Sequence, residues 1–399
     1  MKKHKLVTVI SGLVLLGMVM TVVSTVVFFK LNAAHASNAN SNNGQNNGFQ
    51  SMRRDNGAAT TINNLNRISV VGSTAFIVDG HGKTISVDAN PYGVAVTPDG
   101  MASTTPGSLR PGDIVVTDFG ANSTGATLVR FPAGKGPGLL FNTMNTGTKG
   151  PALEAFNTAT GSDWVANFTA NNVQVFRANG TIKATITNAL FKMPWAMTSN
   201  RGMRNAMDGS IGSFFTTNAG DATIDRIDMI PSGNGTTFRV FQIGQLTQIK
   251  GGTKSGLAWV PSLQLGGQNF SDVLLALDLA NNRIAAYPNS TTLNTTTTRS
   301  TSKGMTVFQG KPLNTPVSLT VNPLNGDILV TNGNDNNLVE LNLAQGKVVG
   351  VRLLDNVPVD AQSGNGSGLV GLAAAIDAKG NLEVFFIDDN MNTLNVLGV

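Results

Sequence analysis

The sequence predicts an all-β fold: a six-bladed β-propeller of four-stranded antiparallel blades, its ring closed by an N-terminal strand. Three observations carry that prediction. From residue 67 onward, short Val, Ile, Phe and Leu runs alternate with Gly, Asn and Pro, and no long stretch has helical apolar spacing. One segment recurs six times. The last copy stops after its third strand, which leaves a sheet edge for upstream residues to cover.

Residues 1–36 are expected to form a signal peptide or an N-terminal membrane anchor. After MKKHK, Val7 to Phe29 runs 23 residues without a charge, enough for a helix to span a ~30 Å hydrocarbon core. Ala34-His35-Ala36 offers an A-x-A-like cleavage site. Cleavage after Ala36 and retention as an anchor both remain open, and basic residues before the apolar run hold that end in the cytoplasm. Either way, the rest of the chain is expected to be extracytoplasmic, secreted or held at the cell surface.

Residues 37–66 are expected to be a flexible linker, rich in Asn, Gly and Ser up to about residue 60. Twenty-four such residues span roughly 27 Å on average. Arg53 and Arg54 are solvated linker residues or weak contacts for anionic lipid. The folded domain occupies 67–399 and is expected to be monomeric. With no cysteine, it relies on its core rather than on disulfides and has no Cys for lipid attachment. Lys and Arg number 28 against 23 Asp and Glu, but Lys2, Lys3, Lys5 and Lys30 belong to the targeting segment. The remaining 24 against 23 is nearly neutral, so nucleic acid is not an expected partner.

The six copies are VVTDFGANSTGATLVRF, WVANFTANNVQVF, FFTTNAGDATIDRI, LLALDLANNRIAAY, ILVTNGNDNNLVEL and VFFIDDNMNTLNVL. Each has an apolar strand ending in Asp or Asn, then a polar turn, then a second apolar strand. The strand-end residues are Asp118, Asn167, Asn218, Asp278, Asn332 and Asp388, recurring every 49 to 60 residues. In five copies an apolar residue follows six positions later: Val173, Ile224, Ile284, Leu338 and Leu394. The first copy reaches Leu128 four residues late, as an insertion in its turn would require. Asn171, Asn282, Asn336 and Asn392 share the fourth position of the turn.

Upstream of each copy lies an expected inner strand, beginning near residues 91, 151, 194, 256, 316 and 369 and introduced in several cases by proline. Outer strands follow in TIKATI, FRVFQI, MTVFQG and KVVGVRLL. Thr84–Asp88 is the expected ring-closing strand, with residues 68–80 adding an edge strand or short hairpin beneath the last blade.

Asp278-Leu-Ala-Asn281-Asn-Arg283-Ile284 resembles the core of the NHL repeat, where an apolar strand ends in Asp and Asn, Arg and Ile or Val follow at these spacings. The other copies keep the Asp or Asn and lose the Arg. The resemblance implies an NHL-like six-bladed propeller, a fold that serves in protein-binding, RNA-binding and sensor proteins. Gluconolactonase-type lactonases are more distant relatives; their likeness implies a divalent cation such as Ca²⁺ in the central channel, held by Glu, Asn and Asp. Candidate ligands here are Glu154, Asn167, Asn218 and Asp278, with Glu154 also the catalytic candidate.

The six Asp and Asn residues also have a plain structural explanation. Their side chains hydrogen-bond the backbone two residues on and tolerate φ > 0, as a tight turn between antiparallel strands requires. The alternative is that they line a rim and bind a cation or polar ligand. Trp164, Trp195 and Trp259 are expected in the core, and Trp195 has a rim contact with ligand as its alternative. His81 in DGHGK is expected in a turn, which leaves a Ser-His-Asp triad without its base. GKGPG at 134–138 joins strands rather than a strand to a helix, unlike a phosphate loop. The expected function is a binding module at the cell surface for a protein, carbohydrate or small molecule. The alternative is a metal-dependent hydrolase of lactonase type.

Overall fold

A computed structural model describes residues 59–399 except 80, 100–106, 135, 143–145, 159, 205–208, 234 and 361–363. The chain is a six-bladed β-propeller. Within a blade the strands follow chain order from the axis outward, as in Pro151–Phe156, Asp163–Asn167, Asn172–Phe176 and Ile182–Ile186 of blade 2. The inner strands are Pro91–Val96, Pro151–Phe156, Pro194–Ser199, Leu257–Leu265, Pro316–Val321 and Leu369–Ile376. Each touches the next, and the last touches the first.

The ring is closed by an N-terminal strand, but it is Arg67–Ser73, paired antiparallel with Thr393–Gly398, instead of Thr84–Asp88. A seven-residue strand supplies a ladder as long as its six-residue partner, which Thr84–Ser86 is too short to do. Thr84–Ser86 pairs with Phe76–Val78, and this hairpin joins the two-residue outer strand Leu139–Leu140 of blade 1. It covers an edge that so short a strand leaves open. His81 lies in the hairpin turn, its amide donating to Asp79 Oδ1 at 2.9 Å.

The folded unit includes residues 59–66, inside the span expected to be linker. Ile62 and Leu65 are 0% and 1% exposed, packed with Leu338, Leu382 and Leu397. The Ile62 amide also donates to Glu340 Oε2 at 2.8 Å. Val7–Phe29 and the Ala36 site lie outside the described residues. Among the described residues no helix is long and apolar enough to cross a membrane.

Between blades, side chains alternate into the two flanking seams and bury the core there. Trp164 of blade 2 stacks on Phe214 of blade 3 with ring centroids 3.8 Å apart and planes 6° from parallel. Thr117 and Thr217 hydroxyls donate across seams to the Ala152 and Ser255 carbonyls of the following blade.

The turn asparagines carry a second set of links. Asn171, Asn282, Asn336 and Asn392 have φ of 55, 47, 51 and 52°, the left-handed conformation that Asn tolerates. Each side-chain oxygen accepts the amide just ahead of the next blade's inner strand. The donors are Met193 at 2.7 Å, Thr315 at 2.6 Å, Gly368 at 3.1 Å and Asn90 at 2.7 Å. Blades 1 and 3 lack that Asn and use backbone instead: Gly150 donates to the Gly125 carbonyl and Thr253 to that of Ala219, both at 2.8 Å. The same residue therefore shapes the turn and clips one blade to the next.

Candidate functional site: the axial channel

All six strand-end residues sit where the second strand of a blade ends. Asp118, Asn167, Asn218, Asp278 and Asn332 are fully buried, and Asp388 is half-buried. Most are committed within their own blade. Asn167 Nδ2 donates to Asn172 Oδ1 and Gln174 Oε1, each at 3.0 Å. Asn218 Nδ2 donates to Thr223 at 2.9 Å and Asp225 at 2.7 Å. Asn332 accepts the Asn314 amide at 3.1 Å, and Asp388 the Met391 amide at 3.2 Å. Asp278 pairs with Arg283 at 2.8 Å, across the first position of the third strand. That ion pair is the physical content of the NHL-like spacing.

The four proposed metal ligands are therefore not brought together. Asn167, Asn218 and Asp278 face third-strand partners, outward from the axis, and Glu154 lies at the seam between blades 1 and 2. Among the described residues no group of three His, Asp or Glu is placed to hold a metal ion. This donor set does not fit one divalent cation.

The channel itself holds a cavity of about 510 Å³ with wall residues from every blade, among them Val96, Glu154, Met197, Trp259, Thr320 and Ala374. Arg201, in the loop after the third inner strand, lies at its edge. Glu154 is the one charged residue in any inner strand and is 6% exposed. Neither carboxyl oxygen has a hydrogen-bond partner of good geometry among the described residues. Burial, then the charges of Asp163 and Asp118, push its pKa well above the carboxylate range, opposed by the Ala95 amide. Asp163, also without partners for its oxygens, is raised by the same burial. Burial thus favours the carboxylic-acid form of Glu154, which has one O–H to donate and one C=O to accept.

At the other end, where the inner strands begin, aromatic rings close the channel. Tyr92 lies 4.5 Å from Phe119 and 5.1 Å from Trp195, centroid to centroid, and Phe168 lies 5.9 Å from Trp195. Trp195 is 2% exposed, so its ring is part of this closure. Lys254, three residues before the inner strand of blade 4, sets Nζ 4.8 Å from the Trp195 centroid and 5.6 Å from those of Tyr92 and Phe119. Burial pulls its pKa down to about 8, with Asp389 acting the other way. Burial and Asp388 raise Asp389 to about 7, opposed by Lys254. Lys254 carries no signal in GGTKSG; only the ring places it over three aromatics from two other blades.

No protein-family model and no curated protein matches the chain. Among solved structures it is similar to a Bacteroides thetaiotaomicron protein of unknown function, at 10% identity and a TM-score of 0.50, covering 83% of this chain and 75% of that one. Virginiamycin B lyase from Staphylococcus aureus is 15% identical with a TM-score of 0.47, over 84% and 99% of the two chains. A chain of the nidogen/laminin complex is 13% identical with a TM-score of 0.42, over 67% and 83%. Similarity at these identities describes the fold alone.

Proposed function

We propose that the protein is an extracytoplasmic, NHL-like binding module that takes a small neutral polar ligand, of the carbohydrate kind, into the axial cavity. The observation that carries this is a cavity of about 510 Å³ lined in part by Glu154, whose carboxyl is buried within the wall without a partner of good geometry. That volume falls in the ~300–1,000 Å³ range of small-molecule sites, which pair apolar walls with a few placed polar groups. A protonated carboxyl matches hydroxyls, which donate and accept, better than it matches an anion. The apolar N-terminal run, preceded by basic residues, supports a location outside the cytoplasm.

The test is calorimetric titration of neutral mono- and oligosaccharides from cell-surface material into the full chain. Glu154→Ala is expected to weaken the ligand found at least tenfold without lowering the melting temperature. Equal affinity in the variant would overturn the assignment. The lactonase-type alternative needs an ion, so a Ca²⁺-specific rise in melting temperature would favour it; saturation at 100 times Kd adds about 2.7 kcal/mol. Turnover of the titrated ligand would do the same.

A further inference from the structure

We propose that the ring-lined mouth of the channel is a second site, for organic cations of the quaternary-ammonium class, which Lys254 fills when no ligand is bound. It stands apart from the cavity and from Glu154. Three ring faces surround one ammonium at 4.8 to 5.6 Å, within the ~6 Å over which a cation is attracted by an aromatic quadrupole. Trp195, the strongest of the three types for this purpose, is nearest.

The chemistry of the mouth selects the kind of cation. Among the described residues, no hydrogen-bond acceptor or ion-pair partner lies on the Lys254 ammonium; it meets ring faces, and Asp389 acts on it through charge alone. A primary ammonium surrenders part of its hydration here and gains no hydrogen bond from protein. A quaternary ammonium has no N–H to surrender and is weakly hydrated, yet presents the same charge to the same rings. Burial disfavours the charged Lys254 in this position, as its lowered pKa records. What keeps it there is its tether. Lys254 is half-buried on four rotatable bonds, so the side chain can turn to solvent while the backbone stays in place.

The experiment is a titration of the full-length protein with tetramethylammonium chloride, followed by tryptophan emission, against sodium and ammonium chloride at matched ionic strength. Lys254→Ala is expected to bind tetramethylammonium saturably, at least tenfold tighter than wild type and at least tenfold tighter than ammonium. Adding Tyr92→Leu, which removes a half-buried ring and leaves Trp195, is expected to abolish the preference. A folded Lys254→Ala protein with no saturable response, or with equal affinity for the two cations, overturns the proposal. A wild-type measurement guards against misfolding of the variant. Tetramethylammonium is expected to raise the acetylation rate of Lys254 saturably, by mass spectrometry, with other lysines unchanged. An unchanged or slower rate at Lys254 overturns the proposal equally.

Discussion

Two sets of polar side chains lie within this ring, the turn asparagines, of which Asn336 is fully buried, and a group of buried carboxyls, and they differ in whether their partners are present. Each turn asparagine accepts an amide ahead of the next blade, and the buried Asn336 is satisfied on both sides: it accepts the Gly368 amide and donates to the carbonyls of Gly366 and Val357. The seam carboxyls Glu154, Asp163 and Asp118 have no partner of good geometry for any oxygen. Since a buried polar group without a partner costs about 1–3 kcal/mol, the first set holds the fold together and the second weakens it. The repeated turn asparagines mark structural polarity, and the unmet hydrogen-bonding need of Glu154, which stands outside the repeat, marks the candidate site.

The largest expected effect comes from breaking a satisfied member. Asn336→Ala strands several buried groups and puts alanine at φ 51°, which is expected to cost about 3 kcal/mol in urea denaturation. Asn336→Gly is expected to recover about 1 kcal/mol of this by relieving the backbone. Glu154→Gln, in contrast, is expected to leave stability unchanged or raise it. Equal losses at the two sites would erase the distinction.

Next comes pH. Burial raises Glu154 and Asp163 above their unfolded values, so the folded chain holds protons that the unfolded chain releases. The stability they confer is present below about pH 4 and is lost as pH rises toward neutrality, with a slope of up to about 1.4 kcal/mol per pH unit for each proton. The double variant Glu154→Gln, Asp163→Asn is expected to flatten that slope in denaturation curves taken from pH 4 to 8.

The smallest effect belongs to Lys254. Its pKa is lowered from 10.5 to about 8, so the unfolded state binds the extra proton between those values and stability rises with pH across that window. Lys254→Met is expected to remove the rise and to add about 1 kcal/mol at most at pH 7, since solvent screens a half-buried charge. Melting temperatures at pH 7 and 10 test both.

Much of the fold is legible because the blades repeat one local solution: apolar strands in fixed register and a left-handed turn position filled by Asn in four of the six. Even the four late residues before Leu128 appear as a longer turn, with Asn122 and Ser123 at positive φ. Composition does not single out the ring-closing strand, since Arg67–Ser73 and Thr84–Ser86 look alike; the choice depends on which is long enough to match Thr393–Gly398. Glu154 stands out in the sequence as a lone acid on an inner strand, and its place near Asp163 follows strand register. The mouth around Lys254 was not legible. It is assembled from blades 1, 3 and 4, and no local pattern encodes contacts made across an axis.

The pairing of Arg67–Ser73 with Thr393–Gly398 also has a consequence for how the chain is made. Arg67–Ser73 has to wait, unpartnered, until Thr393–Gly398 has been synthesised more than 300 residues later. A chain cut short by even one blade keeps two open sheet edges, the state that invites edge-to-edge aggregation and capture by quality control. Ring closure therefore doubles as a completeness check, passed only once residue 398 has arrived.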